Sequence, residues 1–79
     1  MADSPLFERV ALIGIGLIGS SLARAMRQHK LAGHIAGHAK SERTRAKAVE
    51  LGLVDSIHAD PAAAVAGADL TVVCTPLGA

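Results

Sequence analysis

Val10-Ala11-Leu12-Ile13-Gly14-Ile15-Gly16-Leu17-Ile18-Gly19 decides how this chain folds. Residues 10–14 are a continuous apolar run without alternation, the pattern of a strand buried on both faces in a parallel sheet. From Leu17 the pattern changes. Ile18, Leu22, Ala25 and Met26 recur at helical spacing, while Arg24, Arg27 and Gln28 fall elsewhere. The spacing predicts a helix over about 17–29, closed near Leu31-Ala32-Gly33. A glycine-rich turn therefore joins a buried strand to a helix.

Residues 1–7 read as a short polar lead-in ending in Leu6-Phe7. Beyond the first helix, His34-Ile35-Ala36-Gly37-His38 reads as a second strand. Ser41 is an expected N-cap for a helix to Leu51, with Glu42 in its first turn and Gly52 at the usual place for a helix-terminating glycine. Val54 to His58 suggests a brief third strand. Asp60-Pro61 opens a short helix, with an acid at the cap and proline at the first helical position. Gly67 stops it, and Leu70 to Cys74 is β-branched and strand-like until Thr75-Pro76 breaks it. This alternation implies an α/β fold with a parallel sheet and right-handed crossovers, beginning with a βαβ unit. Residues 1–79 read as one unit, with no internal repeat or linker.

In that context the glycines acquire a chemistry. Gly14 permits the tight turn out of the strand, Gly16 lets a backbone approach a pyrophosphate, and Gly19 lets the helix pack closely on the strand. The N–H groups and dipole of the helix start then favour phosphate. The competing reading is a glycine-rich turn without a ligand. Dinucleotide sites that accept NAD usually carry an acid at the end of the second strand, about 20 residues past the glycines, to bind the ribose 2′-hydroxyl. Here that run is Gly37-His38-Ala39-Lys40-Ser41, without an acid. Lys40, Arg43 and His38 offer positive charge and Ser41 a hydroxyl and an N–H, so the turn favours NADP over NAD. The bland alternative makes Lys40 and Arg43 a solvated helix start. Ligands of such sheets bind at the carboxyl ends of the strands, so Thr75 and Pro76 are expected near the ribose and nicotinamide.

Composition narrows the rest. The 79 residues are 51% hydrophobic and 19% charged, too apolar for a disordered chain. No apolar run reaches the ~18 residues that cross a bilayer. A net charge of +1 and a single aromatic residue, Phe7, make no case for nucleic acid. Met1 to Pro5 carries Asp3 and shows no basic, then apolar, leader, so a cytoplasmic location is expected. Cys74 has no disulfide partner and reads as a small buried hydrophobe rather than a nucleophile. His29, His34, His38 and His58 do not stand at metal spacing, and no metal is expected. His29 reads as a helix-end residue, and His34 and His58 as surface or edge residues. Asp55, Asp60 and Asp69 read as turn and cap residues. Ser20 suits either phosphate binding or packing in the first helical turns.

Three stretches resemble the prephenate/arogenate (cyclohexadienyl) dehydrogenase family. They are Gly16-Leu17-Ile18-Gly19-Ser20-Ser21-Leu22-Ala23, Leu51-Gly52-Leu53-Val54-Asp55, and residues 67–79 ending in Thr75-Pro76-Leu77-Gly78-Ala79. The resemblance runs from about residue 8 to 79 and would cover only the first part of a family member. It implies the N-terminal portion of a Rossmann domain, a doubly wound parallel sheet. It also implies an oxidative decarboxylation in tyrosine biosynthesis. Hydride leaves the ring carbon bearing the 4-hydroxyl for NAD or NADP, carbon dioxide is lost and the ring becomes aromatic. The family's catalytic histidine, substrate-binding arginine and helical dimerisation domain fall beyond Ala79, so no catalytic residue is expected here, and a homodimer is implied only at full length. Cofactor contacts carry over to Gly14, Ile15, Gly16, Leu17, Ile18 and Gly19 at the pyrophosphate. They carry over likewise to His38, Ala39, Lys40 and Ser41 at the adenosine ribose, and to Thr75 and Pro76. Ala39 is a departure, since many relatives have aspartate there.

Other readings share the half-fold: a hydroxyacid or pyrroline-carboxylate type of reductase, or a regulatory module that senses a dinucleotide without chemistry. A further one is a truncated, inactive product, in which strand 70–74 lies partly uncovered and the isolated chain is unstable or associates.

Overall fold

A computed structural model describes residues 6–74. The elements are β1 (Phe7–Ile13), α1 (Leu17–Gln28), β2 (Ala32–His38), α2 (Glu42–Glu50), β3 (Ser56–His58), α3 (Pro61–Val65) and β4 (Leu70–Val73). The strands form one sheet in the order β3-β2-β1-β4, and every neighbouring pair is parallel. β1 is central because its Val10, Ala11 and Leu12 are fully buried, as the uninterrupted apolar run requires.

The two faces of the sheet differ in thickness. Val10 and Leu12 register with Ile35 and Gly37, and this face packs with Ala23 and Met26 of α1 and Ala48 of α2 into the main core. The opposite face carries Ala11 and Ala36, and α3 lies over it with Ala64 fully buried. Small residues on both sides let α3 sit close. Right-handed crossovers dictate this arrangement: the chain steps twice in one direction from β1 to β3, then returns over the other face to β4. On the α3 side of β4, Val73 is 67% exposed.

The caps at Ser41 and Asp60 form as their residue types predict. Ser41 Oγ accepts from Thr44 N–H at 3.4 Å, and Asp60 Oδ1 from Ala62 N–H at 3.0 Å. Three boundaries differ from the sequence reading, the first two through contacts between distant residues. β1 begins at Phe7 rather than Val10, because Phe7 N–H reaches Leu31 O and Asp69 Oδ2 accepts the N–H groups of Glu8 and Arg9. β3 starts at Ser56 rather than Val54, since Asp55 spends its N–H and Oδ2 on the two backbone groups of Ile35. Burial pulls the Asp55 carboxyl up, but the Ile35 N–H, the Arg27 guanidinium at 3.1 Å and His34 outweigh it and hold the group below its usual value.

The third difference is the end of α1. The helix closes at Gln28, and Ala32 and Gly33 already belong to β2. Lys30 takes the left-handed position (φ 54°). Lys30 N–H bonds Arg27 O, and Leu31 N–H bonds Met26 O, the paired bonds of a glycine-type helix stop. A lysine there carries strain that glycine lacks. Lys30→Gly is expected to stabilise the fold by about 0.5–1 kcal/mol, the strain relieved less the added chain entropy. The chemical-denaturation midpoint measures it. An unchanged or lower midpoint would mean that the lysine stem makes contacts worth the strain.

Candidate functional site

The carboxyl ends of β1 and β2 and the start of α1 meet at the glycine turn. Gly14 leaves β1 at φ 75°, a conformation that side chains disfavour. Its N–H is shared between His38 O and His38 Nδ1, both at 3.0 Å, and Ile15 N–H also bonds His38 O, at 2.8 Å. Ile15 then turns back into the core, where it is 6% exposed.

Gly16 is the N-cap of α1. It provides no side-chain cap, and the first turn holds no acid. The leading N–H groups of a helix lack intrahelical partners. At α2 and α3, by contrast, a side chain accepts from the opening turn. A Cβ placed on Gly16 would meet nothing within 4 Å. Among the described residues, nothing occupies the space above this turn. Gly19 is different, because its added Cβ would touch Cys74 Sγ at 3.4 Å and Ile15 Cγ1 at 3.5 Å. The helix thus lies against the end of β4, close enough for a Cβ here to make ordinary van der Waals contact with it. Leu17 and Ile18 lie in the first turn of α1.

A cleft of about 700 Å³ opens between the start of α1 and α2, lined by Gly16 and Ser20 on one side and by Arg43, Thr44 and Lys47 on the other. The β2–α2 turn that leads to it is pinned from behind. The Arg45 guanidinium donates to Ala39 O and Lys40 O, both at 2.8 Å. Ala39 is buried, while Lys40, Ser41 and Arg43 are exposed at the start of α2.

The structure thus gathers Gly14, Ile15, Gly16, Gly19, Ser20, Lys40, Ser41 and Arg43 around one end of the sheet. His38 occupies a place that its sequence position does not reveal. Its ring is buried and accepts a backbone N–H at Nδ1, so in this arrangement it is neutral and holds Gly14 rather than supplying charge. Thr75 and Pro76 lie outside the described residues. Cys74 is buried, and burial pushes its thiol up, which suits a packing residue.

The remaining candidates stand elsewhere. His29 caps the end of α1 and is exposed. His34 and His58 are half-buried, with His58 on the edge strand β3, and both place Nε2 at 3.0 Å from Ser56 Oγ on the α3 face. Among the described residues, no three His, Cys, Asp or Glu side chains are grouped to hold a metal ion, and no helix is long and apolar enough to cross a membrane.

Sequence reasoning missed Arg45, Lys47, Gly37 and the His38–Gly14 bond. Gly37 had a local signal, a glycine inside a strand, which often marks close approach. An added Cβ there would stand 2.5 Å from Ile15 Cδ1 and 2.8 Å from Val54 Cγ1. Arg45 and Lys47 gave none, since charges on one helix look alike until the fold places them.

Comparison with known proteins fits this geometry. A family profile described as "Prephenate dehydrogenase, nucleotide-binding domain" matches residues 22–79. A cyclohexadienyl dehydrogenase from Zymomonas mobilis subsp. mobilis is 40% identical over 74 residues, which is 94% of this chain and 25% of that protein. Among solved structures, the prephenate dehydrogenase of A. aeolicus, crystallised with hydroxyphenyl propionate and NAD+, superposes with a TM-score of 0.79 at 27% identity. That match covers 87% of this chain and 24% of the other. The chain thus spans about a quarter of the length of these relatives.

Proposed function

This chain belongs to the prephenate dehydrogenase nucleotide-binding family, and from that premise we propose that it is the cofactor-binding segment of a cyclohexadienyl dehydrogenase that prefers NADP. The observation that carries the reading is the uncapped start of α1 at Gly16, where none of the described residues fills the space a side chain would take. Two phosphates fit there, because free N–H groups and the positive end of the helix dipole face that space without a competing carboxylate. Gly14, Ile15, Gly16, Leu17, Ile18 and Gly19 form this cradle, and Ser20 borders it.

The adenosine end follows the β2–α2 turn. Lys40 and Arg43 bring two cations to the place where an NAD site usually sets an acid, and Ser41 adds a hydroxyl. Ala39 is too small and apolar to bind a ribose hydroxyl. Arg45 fixes the turn by holding the carbonyls of residues 39 and 40. Lys47 extends the positive lining of the cleft. Thr75 and Pro76 would take the nicotinamide side, at the end of β4.

When bound, the nicotinamide supplies the hydride acceptor for the oxidation. The substrate, prephenate or arogenate, loses hydride from its hydroxyl-bearing ring carbon and a carboxylate as carbon dioxide, and so becomes aromatic. This segment binds and orients the dinucleotide; the acid–base groups and the dimer contacts belong to other parts of the family's proteins.

Titration with NADPH and with NADH, read by nicotinamide fluorescence, tests the reading. Charge-assisted bonds from Lys40 and Arg43 should favour NADPH by about tenfold or more. Preference for NADH, the reduced form of the cofactor bound in the A. aeolicus enzyme, would keep the dinucleotide site and overturn the NADP assignment. Failure to bind either would overturn both.

A further inference from the structure

The bond between Gly14 and His38 gives the phosphate loop a dependence on one imidazole. Gly14 is the point where the chain leaves β1, and its φ of 75° aims the following residues at the ligand space. Its N–H is held by two acceptors at 3.0 Å, the carbonyl and the Nδ1 of His38. A backbone N–H only donates, so Nδ1 must be unprotonated and the ring's proton sits on Nε2. The ring is 6% exposed. Protonation at Nδ1 would set two donors against each other inside a buried space, and the ring would have to turn away.

We propose that His38 is a positioning residue for the dinucleotide loop: its neutral imidazole fixes Gly14, and protonating that imidazole releases the loop and weakens cofactor binding. The inference rests on the dinucleotide-binding reading above. His38 touches the loop and acts on the phosphates through it.

Among the described side chains on its face of the sheet, the His38 imidazole is the one bonded to the loop. The side chains on its face of the sheet are known from the strand register. Beside it stand Ile13 on β1 and His58 on β3. Further along the same face are Arg9 on β1 and His34 on β2. α3, which covers the face, is Pro-Ala-Ala-Ala-Val with Asp60 as its cap. Lys40 is two residues onward and exposed. His34 and His58 direct their Nε2 atoms to Ser56, not to the loop.

The sign separates this role from a simple electrostatic one. An imidazolium that attracted pyrophosphate would make binding tighter in acid. An imidazole that must accept from Gly14 makes it weaker. The test is calorimetric titration with NAD+, which lacks the titrating 2′-phosphate, between about pH 5.5 and 8. It uses the protein at its natural length, with H38N and H38L beside wild type. Asparagine offers an acceptor oxygen near the position of Nδ1, and leucine offers none.

Wild-type affinity is expected to fall about fivefold or more on acidification, the scale of one hydrogen bond. H38N should bind within about threefold of wild type at pH 8 and stay flat as the pH drops. H38L should be weakened about fivefold at pH 8 and also stay flat. Affinity that rises in acid, an H38N curve that follows wild type, or H38L binding as tightly as wild type at pH 8 would each overturn the role of His38 alone. If wild type binds neither NAD+ nor NADPH at pH 8, the dinucleotide reading falls and this role with it. If H38L fails to melt cooperatively, the H38N pH profile still decides.

Discussion

Gly16→Val is expected to weaken dinucleotide binding by about 100-fold or more, because two backbone N–H bonds to charged oxygens are worth about 1.5–3 kcal/mol each. The same change should cost the fold only about 1 kcal/mol, the penalty for replacing a good N-cap residue with a poor one. The separation of the two effects follows from geometry. A Cβ on Gly16 meets nothing of the described residues within 4 Å, so the added carbons crowd none of the described core atoms. They enter the space above the uncapped start of α1, where the phosphates need to approach the backbone. Fluorescence titration with NADPH and a denaturation midpoint, measured on the same variant, check both halves. Valine that binds as tightly as glycine would mean that phosphates do not approach this turn. A large loss of stability would mean that Gly16 packs against parts outside the described residues.

The parts of this fold that are legible in the sequence are those decided locally. The run from Val10 needs no partner to declare itself a central strand, and Ser41 and Asp60-Pro61 state their helix starts within three residues. The glycine turn is legible for the same reason: its meaning depends on the strand before it and the helix after it. What stayed hidden was decided across the chain. The extension of β1 to Phe7 depends on Asp69, about sixty residues away. The stop at Lys30 shows that the backbone takes a left-handed turn wherever β2 must begin, whether or not glycine is at hand. His38 illustrates the limit for the site. Its position beside Lys40 suggested a cation for phosphate, yet the alternation of β2 turns its ring to the α3 face and onto Gly14. A residue's place in the chain locates its Cα near the ligand but does not say which way the side chain points.

Gly37→Ala is the counterpart to Gly16, and it should move stability and binding together. Gly37 sits in β2 opposite Leu12 of β1 and Ile57 of β3. Three side chains fill the place where its own would be: an added Cβ would stand 2.5 Å from Ile15 Cδ1, 2.8 Å from Val54 Cγ1 and 3.0 Å from Ile57 Cδ1. Overpacking of this kind typically costs about 1–3 kcal/mol. The Ile15 and Ile57 contacts involve chain ends that can rotate; the Val54 methyl sits on a stiff β-branched stem. The function is exposed through Ile15, the residue between Gly14 and Gly16, whose side chain anchors the loop in the core. Lifting Ile15 shifts the backbone on either side of it, so NADPH affinity should fall along with the denaturation midpoint. Ile15→Val removes the Cδ1 that lies nearest and should recover part of the loss in the double variant, while Val54 and Ile57 keep the remainder. A double-mutant cycle measures that coupling directly. An unchanged midpoint in Gly37→Ala, or losses that simply add in the double variant, would show that Ile15 does not depend on Gly37 for its seat.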